Sequence, residues 1–95
     1  MRKVLFLAPA MLAACAAQQP PVHGVTPGHK CDATGTETFI GRTRSDSTGS
    51  AIKRATQAAV LRWSPPGTML TMDYREDRVT VWIDPAKKIT KIRCG

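Results

Sequence analysis

The stretch Gly67-Thr68-Met69-Leu70-Thr71-Met72-Asp73-Tyr74-Arg75-Glu76-Asp77-Arg78-Val79-Thr80-Val81-Trp82-Ile83-Asp84 changes character along its length. Residues 68–77 alternate poorly and hold no turn glycine, which reads as an extended loop. From Val79 the period becomes two. Val79, Val81 and Ile83 share one strand face, with Thr80 and Trp82 on the other. Upstream, Ser64-Pro65-Pro66-Gly67 breaks regular structure, and residues 60–63 before it form a short strand candidate. Downstream, Asp84-Pro85 turns the chain into a last strand over residues 89–94, ended by Gly95. Residues 51–59 carry a helical period, with Ile52, Ala55 and Ala59 on one face and Lys53, Arg54 and Gln57 away from it. The polar run 45–50 supplies Ser47 or Thr48 as a plausible N-cap, and Phe39-Ile40-Gly41 is a short apolar entry. The pattern predicts an α+β domain in which one helix packs on a small mixed sheet and an extended loop interrupts the strands.

Size limits the function. The chain has 95 residues, so two domains, a large cofactor fold and a channel are excluded. Hydrophobic residues make up 42%, enough to fold, but the chain is too short for an elaborate catalytic cleft. Hydrolysis needs a nucleophile with a base, or paired carboxylates. No histidine lies beyond His29, and Asp73, Glu76 and Asp77 are crowded among Arg75 and Arg78. They read as an exposed charge lattice, so no enzyme and no cofactor are expected. Neither an internal repeat nor a nucleotide loop is visible.

The N-terminal segment reads as a targeting signal. Arg2 and Lys3 precede an apolar run over residues 4–12, interrupted by Pro9 and followed by Ala13, Ala14 and Cys15. A basic tip, an apolar core and small residues describe a secretory signal peptide over residues 1–14. A buried N-terminal helix is the alternative, opposed by Pro9 and the missing polar face. The run is too short to span a bilayer, which needs roughly 20 residues. Leu12-Ala13-Ala14-Cys15 resembles the lipobox of bacterial lipoproteins. That resemblance implies cleavage before Cys15, lipidation of Cys15 and attachment to the bacterial cell envelope. Ala16 lacks an acidic retention signal, which leans towards the outer membrane. Each buried acyl methylene contributes about 0.8 kcal/mol to such an anchor.

With residues 1–14 removed, including Arg2 and Lys3, 81 residues remain and the formal charge falls from +7 to +5. Lys87, Lys88, Lys91 and Arg93 form the one local basic cluster. A solvated strand face is the plain reading, and contact with anionic envelope polymers the sharper one. Nucleic acid is not expected of an exported chain. Residues 15–30 read as the lipidated cysteine and a flexible tether, with no hydrophobic period and a Pro27-Gly28 turn. If Cys15 carries lipid, Cys31 and Cys94 remain as a pair in an oxidising compartment. A disulfide between them closes a loop of about 64 residues, which the chain-entropy account credits with roughly 4 kcal/mol. A metal site of Cys31 with His23 and His29 is the alternative, and its spacing has no regular logic.

The loop carries the most specific signal. Residues 67–79 resemble the binding loop of the potato inhibitor I family of serine protease inhibitors. The likeness continues through Val81-Trp82-Ile83-Asp84 to Gly95, and Phe39-Ile40-Gly41-Arg42 looks like the family's entry to its helix. The two cysteines and Arg93-Cys94-Gly95 most resemble the elastase-inhibitor relatives grouped as the I78 family. The resemblance covers residues 39–95 and is dense from 67 to 84. It implies a monomeric inhibitor that binds a serine protease as a substrate does. By carry-over the reactive bond is Met72–Asp73. Met72 enters the specificity pocket of a subtilisin-, chymotrypsin- or elastase-like enzyme, with Met69, Leu70, Thr71 and Tyr74 as further contacts. On composition alone Met69, Leu70 and Met72 read as core residues, while their place between the Pro65-Pro66-Gly67 breaker and a charged run, with no clean period, favours exposure. Arg75, Arg78 and Gly95 match loop-supporting positions, Arg78 bracing Thr71 or Asp73, and Arg75 could instead be a solvated charge. Where many plant members carry a second supporting arginine, this chain has Thr80. The competing class is a non-inhibitory envelope lipoprotein that binds a protein or an anionic polymer.

Overall fold

The computed structural model describes residues 22–95. The signal-peptide and lipidation readings, including Cys15, lie outside the described residues, as does the tether before Val22.

Among the described residues, one helix and three strands follow a 3-10 turn at Thr36–Phe39. Helix α1 is Asp46–Thr56, and the strands are β1 (Val60–Ser64), β2 (Arg78–Ile83) and β3 (Ile89–Cys94). The sheet order is β1-β2-β3, with β1 parallel to β2 and β2 antiparallel to β3. The α+β reading therefore stands, and the sheet is mixed.

The helix starts earlier than its apolar period suggests. Ser45, in extended backbone, is the N-cap, and its Oγ accepts the Thr48 N–H at 3.1 Å. Ser47 and Thr48 therefore lie inside the first turn instead of capping it. Asp46 at the start and Lys53 and Arg54 at the end suit the helix dipole. Gln57 takes a left-handed conformation (φ 65°) that stops the helix short of Ala59. The buried face is Gly49, Ile52 and Thr56, while Ala55 is exposed, so only Ile52 of the expected stripe reaches the core. Gly49 lets α1 approach β1 closely. A Cβ there would stand 3.3 Å from Cζ2 of Trp63.

Core packing lies between α1 and one sheet face. Ile52, Val79, Val81, Ile83, Ile89 and Ile92 are buried with Phe39 and Ala58. Thr80, on the face opposite the valines, is also buried, for a reason that belongs to the loop. The hairpin between β2 and β3 is tied by Asp84, whose Oδ1 accepts the N–H groups of Ala86 (2.9 Å) and Lys88 (2.8 Å). Cys31 and Cys94 form a disulfide across a sequence separation of 63, fastening the entry of the domain to the end of β3.

Two strands that run parallel need a crossover of a dozen or more residues. Here that crossover is residues 65–77, and it contains neither helix nor strand. It leaves the end of β1 and returns to the start of β2, where Val60 pairs with Arg78. The sheet topology thus requires an extended loop to run back along the sheet.

Candidate loop site

Along the loop, apolar side chains point into water. Met72 is 97% exposed and Met69 93%, and Tyr74 is 67% exposed. Thr71 and Asp73 are exposed as well, and Leu70 is half-buried. The alternative in which the two methionines belong to the core is therefore excluded, since the core closes without them.

The backbone beneath them is held from two strands. Arg78, buried at the start of β2, donates from Nη2 to the carbonyl oxygen of Asp73 at 2.8 Å and from Nε to a backbone oxygen of Gly95 at 3.0 Å. It reaches the Asp73 main chain, whereas its approach to the Asp73 carboxylate is 4.0 Å. Arg62, from β1, donates from Nη1 to Thr71 Oγ1 at 3.0 Å and from Nε to Thr80 Oγ1 at 3.2 Å. Thr80 in turn donates to the Gly95 oxygen at 3.1 Å. Burial and the neighbouring Arg78 push the Arg62 guanidinium below its ordinary pKa, while Asp73 opposes that shift. Two fixed guanidinium groups therefore support the residues on either side of Met72.

Sequence reasoning missed Arg62, whose role depends on the pairing of its strand. Parallel pairing places Arg62 beside Thr80, the position where a second supporting arginine was expected. The small threonine leaves room for an arginine from the adjoining strand, so the second support comes from β1 while Arg78 supplies the first from β2.

Gly95 has a structural reason to be glycine. Its φ is 124°, and a Cβ would fall 3.1 Å from Cδ1 of Tyr74. The Tyr74 ring lies against it and its oxygen receives both Arg78 and Thr80.

Arg75 plays a different part from the one expected. It pairs with Asp77 through Nε–Oδ1 and Nη2–Oδ2, both 3.0 Å. Asp77 is buried, which corrects its reading as part of an exposed lattice. Every polar group of Asp77 finds a partner. Its N–H donates to Gly24 O (3.0 Å), its carbonyl accepts from Ala59 and Val60, and Oδ2 accepts from Thr26 Oγ1 (2.6 Å). Hydrogen bonds from Arg75 first, then Thr26, hold its carboxyl at about 2. Asp73 is also held well below the usual carboxylate range, by Thr71 first and then His23.

Residues 22–30 differ from the expected free tether. Two turns, Val25 N–H to Val22 O (3.1 Å) and His29 N–H to Thr26 O (2.9 Å), fold the segment against the loop. His23 Nε2 stands 3.1 Å from Asp73 Oδ2, and His29 Nδ1 stands 2.8 Å from the Gln57 carbonyl. Hydrogen bonding does this work, for Val22 and Val25 remain exposed. The metal alternative loses its thiolate, because Cys31 is bonded to Cys94. Among the described residues no other group of His, Cys, Asp and Glu gathers to hold an ion.

The profile of the peptidase inhibitor I78 family matches residues 31–95. Among solved structures, that of the elastase inhibitor AFUEI in its crystal form II is similar, with a TM-score of 0.51 and 27% sequence identity. The likeness covers 62% of this chain and 81% of that one. No curated protein matches the chain.

Proposed function

The chain belongs to the peptidase inhibitor I78 family, and from that premise we propose that it inhibits serine proteases by presenting residues 69–74 as a substrate-like loop. Met72–Asp73 is the reactive bond. Met72 enters the specificity pocket, and its long unbranched apolar side chain suits subtilisin-, chymotrypsin- and elastase-type pockets better than the acidic pocket of trypsin. Met69, Leu70, Thr71 and Tyr74 make the neighbouring contacts. The observation that carries this reading is a nearly fully exposed Met72 between two residues that are each tied to the scaffold.

An extended segment adds to a protease's strand edge through main-chain hydrogen bonds. A free peptide of the same sequence must be ordered first, at about 1–2 kcal/mol per residue. Arg62, Arg78 and Gly95 hold that order in advance, so more of the contact energy appears as affinity. The role is that of a binding protein and calls for no cofactor. The likeness to an elastase inhibitor favours elastase-type targets among the three.

We further propose that the chain is exported and held at the bacterial cell envelope through lipid on Cys15, acting as a monomer at the end of a short spacer. Radiolabelled palmitate incorporation, lost in Cys15→Ser, tests that part.

The inhibitor reading is tested by titrating the oxidised protein against subtilisin, chymotrypsin, elastase and trypsin, with mass spectrometry of the mixtures. Stoichiometric inhibition with slow, single cutting at Met72–Asp73, lost in Met72→Gly, supports it. Rapid degradation or indifference with all four enzymes overturns it.

A further inference from the structure

The match to the family profile begins at residue 31, yet the loop is also contacted by residues that precede it. Arg62 and Arg78 act on Thr71 and the Asp73 carbonyl. Nothing in either strut reaches residues 75–77, where the loop turns back into β2. The main-chain oxygens there accept from the N–H groups of Cys31 (at Glu76) and of Ala59 and Val60 (at Asp77), while the Asp77 N–H and one carboxylate oxygen go to the segment before Cys31. The Gly24 carbonyl takes the Asp77 N–H, Thr26 takes one carboxylate oxygen of Asp77, and His23 meets the Asp73 side chain.

The fit at Gly24 is tight. It is buried, has a φ of 77°, and a Cβ there would fall 2.9 Å from the Arg75 Cα. The obstacle is backbone, which cannot swing aside as a side-chain tip does. The glycine therefore lets one main chain lie directly on another. Beside it, the Thr26 hydroxyl and the Arg75 fork share the Asp77 carboxylate, so the strap fixes the same group that fixes Arg75.

We infer that residues 23–26 are a positioning strap, a second brace that holds the loop on the side following Met72–Asp73 and keeps it in the inhibitory shape. This inference rests on the inhibitor reading for its purpose, and on the contacts alone for its structural content. The leaving half of a cut loop begins at Asp73. Its retention by Arg78, by His23 and by the Asp77 hub keeps the new amine near the new carboxyl. His23, exposed beside Asp73, also stands where an enzyme bound at Met72 would meet it.

The test uses the full chain and two independent readings. Thr26→Val removes the hydroxyl at nearly constant volume, Thr26→Ser restores it, and Gly24→Ala inserts the colliding methyl. Thr90→Val, a threonine on β3 away from the loop, is the control. Amide hydrogen exchange in the free protein is the first reading. Loss of a hydrogen bond of this kind corresponds to about tenfold faster local exchange. We expect that acceleration at the Asp77 amide, which donates to Gly24 O, in Thr26→Val, reversal in Thr26→Ser, and unchanged β2 and β3 core amides. The second reading is the rate at which subtilisin cuts Met72–Asp73, expected to rise by a similar factor. Unchanged exchange at the Asp77 amide, or equal acceleration throughout the sheet, overturns the strap. If Gly24→Ala does not fold, the threonine pair still decides. Failure of the wild type to inhibit any protease would sink the inhibitor reading, while the exchange arm would still judge the brace.

Discussion

Arg62→Met isolates the strut that the loop receives from β1. Methionine keeps much of the aliphatic stem and removes the guanidinium, so the bonds to Thr71 (3.0 Å) and Thr80 (3.2 Å) are lost. A hydrogen bond to a charged group contributes about 1.5–3 kcal/mol. Thr71 is exposed and Arg62 half-buried, which puts this bond at the lower end, about 1.5 kcal/mol. Since about 1.4 kcal/mol is a factor of ten, the inhibition constant should rise about tenfold. The fold should hardly notice, because the Thr71 bond ties the loop to the sheet, and the Thr80 bond repeats a link that the β1–β2 pairing already makes and leaves Thr80 bonded to Gly95. For a domain of this size about 1 kcal/mol moves Tm by 4–8 °C, so a shift below 4 °C is expected. Tight-binding titration of Arg62→Met, Thr71→Val and the double variant against subtilisin or elastase completes the measurement. Thr71 also faces the enzyme, so its single substitution has effects of its own, and only the coupling is diagnostic. A coupling of about 1–1.5 kcal/mol is expected. Additivity within about 0.5 kcal/mol would refute the strut.

Three further outcomes follow from the same contacts. Replacing both Cys31 and Cys94 by serine should lower stability by about 4 kcal/mol, from the loop that the disulfide closes; urea unfolding measures it, and a loss under about 1 kcal/mol would contradict the estimate. Asp77 has a folded pKa of about 2, below its unfolded value near 3.9, so its stabilisation is full above pH 4 and fades as pH falls towards 2; Tm of the wild type should drop across that window more steeply than Tm of Asp77→Asn, and parallel slopes would show that the carboxylate is not the cause. Gly95→Ala forces a side chain onto a φ of 124° and against Tyr74, a strain of about 1–3 kcal/mol, and should weaken inhibition while leaving secondary structure by circular dichroism intact; unaltered inhibition would remove Gly95 from the support.

Much of the fold was legible because its signals are local and periodic. The alternation of Val79, Val81 and Ile83 gives β2, and Asp84-Pro85 gives the turn beyond it. The helix limits were less legible. Ala55 and Ala59 suit a helical period on composition, but Ser45 caps earlier and Gln57 ends the helix before Ala59. An alanine stripe carries little positional information, since alanine is at home in buried and exposed positions alike. The Met69 and Met72 side chains had no periodic signature, and the Pro65-Pro66-Gly67 breaker together with the charged run pointed to exposure. What stayed hidden was tertiary. Arg62 looks like an ordinary charged residue of an edge strand until its strand is paired in register with Thr80. Asp77 looks like one of three crowded acids until Gly24, Thr26 and Arg75 close around it. His23, Gly24 and Thr26 lie in a segment whose composition speaks only of turns. Their role depends on hydrogen bonds across some fifty positions of sequence, which no period reports.

The placement of the two struts bears on what happens after the loop is cut. Arg62 holds Thr71, on one side of the proposed reactive bond, to β1, and Arg78 holds Asp73, on the other side, to β2. Those strands are paired directly, with Arg62 opposite Thr80 and Val60 opposite Arg78. A cut at Met72–Asp73 therefore severs the covalent path without separating its ends. The new carboxyl and amine stay attached to neighbouring strands of one sheet, at a high effective concentration. Under that constraint resealing competes with hydrolysis, and the cut protein should remain an inhibitor. Purified cut chain, incubated with a catalytic amount of the same protease near neutral pH, should regenerate a measurable fraction of intact chain by mass spectrometry. Arg62→Met should shift that equilibrium towards the cut form by about tenfold, because without the guanidinium the cut end at Thr71 is released and the effective concentration of the two ends falls. An equilibrium identical in the two proteins would mean that the paired strands alone hold the ends, and that the arginine acts only on recognition.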